Sequence, residues 1–139
     1  MLKKIFLLTL MLTLTSCRSV GEKFTFTAVV LGINEVTTTD TFDVLVTTTN
    51  TSGEDFHYEG SSTVIGAIIY LKNSDGHIIR PLDVPVTKDY RQMVFKNDDT
   101  ITRTWTFVLS EDDDCGSYDL YFEFFDDCEK LENFINIKE

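Results

Sequence analysis

The chain has 139 residues, 42% of them hydrophobic, and a formal net charge of −11. That length holds one domain of ordinary size, and the apolar fraction excludes both a disordered chain and a bundle of membrane helices. Lys3 and Lys4 precede every acidic residue, so the chain from residue 17 onward carries 10 basic and 23 acidic groups, a net of −13, which excludes nucleic acid and disfavours direct contact with anionic headgroups.

Residues 1–16 read MLKKIFLLTLMLTLTS and lead into Cys17. Lys3 and Lys4 make a positive start. The apolar stretch from Ile5 to Leu14 is too short to cross a bilayer, which takes about 20 residues. It has the length of the hydrophobic part of an export signal. Leu14-Thr15-Ser16-Cys17 closes it. This text resembles the bacterial lipobox, in which the Cys sulfur receives a diacylglycerol and a dedicated peptidase cuts before the Cys. Small side chains at Thr15 and Ser16 suit narrow peptidase subsites, and a thiol is the nucleophile that takes the lipid. The resemblance implies a signal peptide at 1–16, a lipidated Cys17 and a polar tether to residue 23. Two or three acyl chains anchor a protein durably where one does not. Arg18 follows the Cys, in place of the Asp that retains some lipoproteins at the inner membrane. The implied location is therefore the bacterial cell envelope, at the outer membrane in a Gram-negative host.

From Phe24 the text becomes strand-like, and the abundance of Phe, Tyr, Thr and Val supports that reading. Residues 24–31 alternate and then run apolar. Residues 32–40 read as a connection. Residues 41–49 place Phe42, Val44 and Val46 on one face. Asn50 to Asp55 is a turn cluster, followed by a short strand at Phe56-His57-Tyr58. Residues 63–72 (TVIGAIIYLK) read as a central strand. Asn73-Ser74-Asp75-Gly76 is a hairpin signal, and 77–80 returns to a stop at Pro81. Residues 82–93 look irregular, with a short edge strand at 93–95. Residues 101–109 place Trp105, Phe107 and Leu109 on one face. Residues 118–125 do the same for Tyr118, Leu120, Phe122 and Phe124, and 131–138 alternates as the last strand. No long helical period, internal repeat or βαβ spacing interrupts the pattern. Short strands with turns about every ten residues predict an all-β fold, an antiparallel β-sandwich of about seven or eight strands over 24–139.

Asp114-Cys115-Gly116-Ser117-Tyr118 sharpens this. It fits D-x-G-x-Y and resembles the approach to strand F in immunoglobulin-like domains. The resemblance implies a Tyr118 hydroxyl bonded back to the preceding corner. Two residues on, antibody domains carry Cys; this chain has Leu120, so their inter-sheet disulfide is absent. A second likeness runs from about 42 to 125, through Asn50-Thr51-Ser52, Phe56, Ser61-Ser62, Ser74-Asp75-Gly76, Thr104-Trp105 and Gly116-Ser117-Tyr118. It is similar to the immunoglobulin-like proteinase inhibitors of bacilli, and implies inhibition through a loop such as 81–96.

Once Cys17 is assigned to lipid, Cys115 and Cys128 remain as a candidate disulfide pair. A strand over 118–125 separates its ends by about 23 Å, whereas disulfide Cα atoms lie about 5–6 Å apart. Three residues folding back at each end would have to close that gap. The acids at 111–114, 126 and 127 are consecutive rather than spaced at the offsets calcium needs, and read as solvated. His57 and His77 fit no zinc spacing. No nucleophile–base pair, phosphate loop or basic patch is present, so the expectation is no enzyme, no metal and no cofactor. Tyr121 and Phe125 fall opposite the core face of their strand, and either form a partner surface or lie beneath segment 82–95. The expected function is a lipid-anchored binding or structural module of the envelope. Its partners would be the membrane, through the anchor, and another envelope or secreted protein. The alternatives are an inhibitor of a secreted protease or other hydrolase, and an envelope enzyme of unidentified activity.

Overall fold

Alternation of apolar and polar side chains decides where the strands form, because one face of each must be buried. The computed structural model describes residues 23–61, 66–83, 88–125 and 127–139. The leader motif Leu14-Thr15-Ser16-Cys17 lies outside them. Among the described residues there is no helix and there are ten strands: β1 (Phe24–Leu31), β2 (Val36–Thr37), β3 (Thr41–Asn50), β4 (Phe56–Ser61), β5 (Ile68–Asn73), β6 (Ile78–Ile79), β7 (Tyr90–Phe95), β8 (Thr100–Val108), β9 (Gly116–Phe124) and β10 (Asp127–Lys138). They form a three-stranded sheet in the order β1-β3-β8, a five-stranded sheet β2-β10-β9-β5-β6 and a two-stranded sheet β4-β7. With β1, β3 and β8 as strands A, B and E, and β10, β9 and β5 as G, F and C, this is the strand order of an immunoglobulin-like sandwich. All pairings are antiparallel except the two-residue contact of β2 with β10.

The inner faces meet as the sequence requires. Phe42, Val44 and Val46 of β3 alternate with half-buried or exposed neighbours. Trp105 and Phe107 continue that face on β8, and Ile69, Leu71, Tyr118, Leu120 and Phe122 come from the opposite sheet. Phe26 stacks on Phe122 with ring centroids 5.3 Å apart. Trp105 buries its ring but keeps its indole N–H satisfied by the Ala67 carbonyl at 3.1 Å, as a buried polar atom must.

The corner before β9 is built as the motif implies. The Tyr118 hydroxyl donates to the Asp114 carbonyl at 2.6 Å, while Gly116 takes φ +122°, a conformation that side chains rarely adopt. The hairpin at Asn73–Gly76 also forms. Gly76 sits at φ +88°, and its N–H donates to the Asn73 carbonyl at 3.1 Å.

Several elements differ from the expectation. A short strand, β2, lies within the segment read as a connection, and β4 runs on past Tyr58 to Ser61. The central strand begins at Ile68, because Gly66 takes φ +85° and breaks the extended run; residues 62–65 lie outside the described set. The edge strand β7 begins at Tyr90 rather than 93, held to β4 by a continuous register from Phe56↔Phe95 to Ser61↔Tyr90. The last strand begins at Asp127. Its polar opening escapes hydrophobic patterning, and a bulge between Leu131 and Ile135, with Asn133 at φ +50°, resets the alternation midway.

Candidate functional site: an aromatic groove beside the β4-β7 sheet

The two-stranded β4-β7 sheet stands apart from both main sheets and is fastened to them by aromatic side chains. Phe56 meets Phe24 edge-on at 5.3 Å, and Phe95 stacks on Phe24 at 5.8 Å. Phe24 in turn meets Phe124 edge-on at 4.8 Å. Alternation along β4 then points Tyr58 the same way as Phe56, and its ring lies 5.1 Å from that of Phe125. Gly60 makes room beside it: a Cβ there would stand 3.3 Å from the Tyr58 ring.

A groove of about 440 Å³ opens where β4, the start of β5, the start of β7 and the end of β9 converge. Tyr58, Ile68, Tyr90, Phe124 and Phe125 supply its apolar lining, and Glu59 and Glu123 its charged groups. Three of the apolar residues are open to solvent: Tyr90 is 75% exposed, Phe125 56% and Ile68 43%. Glu59 is positioned by Gln92, whose amide donates to the carboxylate at 2.7 Å. No basic side chain lines the groove among the described residues. Burial raises the Tyr58 hydroxyl above its ordinary pKa. The arrangement offers aromatic surface and negative charge at one concave place, the usual form of a recognition site.

No protein-family model and no curated protein matches the chain. Among solved structures it is similar to a β-glucosidase from Listeria innocua, both alone and in complex with glucose. In each case the identity is 15% and the TM-score 0.45, over 84% of this chain and 16% of the enzyme. The chain thus spans about one-sixth of that enzyme's length.

The two aromatics singled out from the sequence do not form one patch. Tyr121 stays on the outer sheet face, stacked flat on Tyr70 at 4.9 Å, with Arg80 over the Tyr70 ring at 5.2 Å. Phe125 lies past the end of β9 at φ +54°, where alternation no longer applies, and turns toward Phe56 and Tyr58. Segment 82–95 does reach this end of the molecule through Tyr90, yet leaves Phe125 more than half exposed. Tyr90, Ile68 and Glu123 were not singled out, since nothing local marks them. The alternating Phe56-x-Tyr58 is the available signal for β4.

Cys115 and Cys128 are not joined. Cys128 lies opposite Glu123, and Cys115 precedes Gly116, which lies opposite Ile137. The length of β9, roughly 25 Å at 3.3 Å per residue, separates them, and the tight β9-β10 turn gives no room for the chain to fold back. Neither is in a disulfide.

The acidic loop is partly structural. Asp113 meets His77 Nε2 at 2.9 Å and accepts the Ser110 N–H at 2.9 Å. Burial pushes the Asp113 carboxyl up, but these hydrogen bonds outweigh it and hold the group below its ordinary value. Among the described residues no three metal-ligating side chains converge.

Proposed function

We propose that this chain is a non-enzymatic binding module of the bacterial cell envelope, tethered by lipid on Cys17 and recognising its ligand in the groove beside the two-stranded β4-β7 sheet. The observation that carries the binding role is the solvent-open aromatic lining of that groove, since Tyr90, Phe125 and Ile68 would be costly to leave in water without a use. The lipobox supports the anchor. The tether of residues 18–23 spans at most about 20 Å when fully extended. The sandwich would therefore sit close above the bilayer with its Phe24 end nearest. Phe24 touches Phe124, which lines the groove, so the ligand would itself be a component of the envelope.

Mass spectrometry of protein extracted from membranes tests the anchor. The expected product begins at Cys17 and carries acyl chains, and Cys17→Ala leaves the membrane fraction. A mature chain that still begins at Met1, or an unmodified Cys17, would overturn it. The inhibitor alternative is checked by assaying a panel of secreted proteases with the same protein, where loss of activity would favour it.

A further inference from the structure

We infer that the tethered sandwich lies against the bilayer on the outer face of its β1-β3-β8 sheet. This rests on the proposed anchor at Cys17. Alternate residues from Thr25 to Leu31 on β1, from Thr41 to Thr49 on β3 and from Thr100 to Val108 on β8 point outward. The register sets them in ranks across the sheet, with Thr49 between Thr25 and Thr100, and Leu45 between Val29 and Thr104. Of these fourteen positions nine are Thr, four are Val or Leu, and one is ionisable. That one is Asp43, which accepts the Thr106 hydroxyl at 2.6 Å. Charged residues make up 25% of the chain, so at the chain's own average such a face would carry about three or four. The face is also open: Val29 is 56% exposed, Val108 49% and Leu31 40%.

The other sides the tether could turn downward are charged. The outer face of the five-stranded sheet carries Lys72, Asp119, Glu123 and Lys130. The Phe24 end carries Glu54, Asp55, Asp98 and Asp99, all exposed, against Lys23 and Lys96. An anionic leaflet repels acids that come within a Debye length, about 8–10 Å. Packed sheets lie about 10 Å apart, so with the threonine face downward the acids of the far sheet stand beyond that range. Threonine hydroxyls donate to phosphate and carbonyl oxygens of the headgroups, and the Val and Leu side chains among them lose water. The tether enters β1 at Phe24, one residue from the corner of this face at Thr25. Its reach of at most about 20 Å keeps the face at high effective concentration over lipid, so a weak contact suffices.

The mature lipoprotein, isotope-labelled and with Cys17 checked for acylation by mass spectrometry, is reconstituted into nanodiscs of phosphatidylethanolamine and phosphatidylglycerol. A fraction of the lipids carries a nitroxide on the headgroup, and the paramagnetic broadening of each NMR signal is measured. The methyl groups of Val29, Leu31, Leu45 and Val108 should broaden severalfold more than those of Ile68 and Ile78 on the far sheet, and more than the Gly53 and Asn97 amides at the Phe24 end. The T27E/T102E variant places two carboxylates on the face and should even out the broadening, with unchanged spectral dispersion verifying the fold. If the Phe24-end amides broaden most, the body stands on its end. If Ile68 and Ile78 do, the other sheet lies down, and even broadening means that the body turns freely on its tether. Each of these overturns the inference and leaves the anchor intact. If the Val29 and Leu31 signals shift with protein concentration in detergent, a second copy takes the face and the lipid assignment falls. An unacylated Cys17 would overturn the anchor, and the inference with it.

Discussion

Tyr118 shows how much one side chain can organise. Its ring is fully buried between the sheets, while its hydroxyl reaches the Asp114 carbonyl and closes the corner that launches β9. Burial, with Asp114 and Asp113 nearby, pushes its pKa up to about 12. The unfolded chain ionises at about 10, so between those values it has lost a proton that the folded chain retains, and stability falls as pH rises through that window. Tyr118→Phe leaves the Asp114 carbonyl without this donor, and should cost about 1–3 kcal/mol. The shift of the urea midpoint measures the cost. The variant should also lose part of the alkaline destabilisation, because the group with the largest upward shift has gone. The tyrosine and its glycine were legible from D-x-G-x-Y. The position of Asp113 against His77 was not, since the two lie 36 residues apart and meet only when β6 and the β8-β9 loop are brought side by side.

Among the elements, the two-stranded sheet β4-β7 is the one the sandwich does not supply by itself. It belongs to neither main sheet and depends on Phe24, Phe56, Phe95 and Phe124 for its attachment. Phe24→Ala removes the ring shared by three of these four contacts and should cost about 3–5 kcal/mol. Hydrogen exchange would show the loss concentrated in β4 and β7, and uniform exchange across both sheets would contradict the attachment. The entry to β5 makes a second test. Gly66 combines φ +85° with a space in which a Cβ would stand 3.2 Å from Ile101 Cγ2. Gly66→Ala is therefore expected to destabilise the fold by about 1–3 kcal/mol, read as a lower thermal midpoint, where an unchanged midpoint would show the turn to be pliable. Apolar runs marked β1, β3, β8 and β9 closely. They marked β5 and β10 poorly, because a positive-φ glycine shortens the first and a bulge splits the second, and neither leaves a hydrophobic pattern.

At the scale of the whole molecule, the sandwich holds through packing of its two inner faces and not through a covalent staple. Cys115 and Cys128 sit at opposite ends of the β9-β10 ladder, so a reducing agent should leave the thermal midpoint of the sandwich unchanged; a drop of several degrees would reveal a disulfide. Charge acts at the same scale. A net of −13 from residue 17 onward works against compaction through self-repulsion, so raising salt from low ionic strength should raise the midpoint as that repulsion is screened. Invariance to salt would place the acids too far apart to matter.

The sequence by itself determined the class of fold, most strand positions, the tyrosine corner and the excess of acid, because each follows from local alternation, a short motif or a count. Only the tertiary structure decided the site. The groove draws Tyr58, Ile68, Tyr90, Glu123 and Phe125 from four strands spread over 68 positions. Their convergence depends on how the separate β4-β7 sheet docks against the end of β9, through contacts between residues far apart in the chain. The same long-range register parted Tyr121 from Phe125, which a reading along one strand had placed on one face, and held Cys115 and Cys128 at opposite ends of the β9-β10 ladder, in line with the separation a strand over 118–125 already implied.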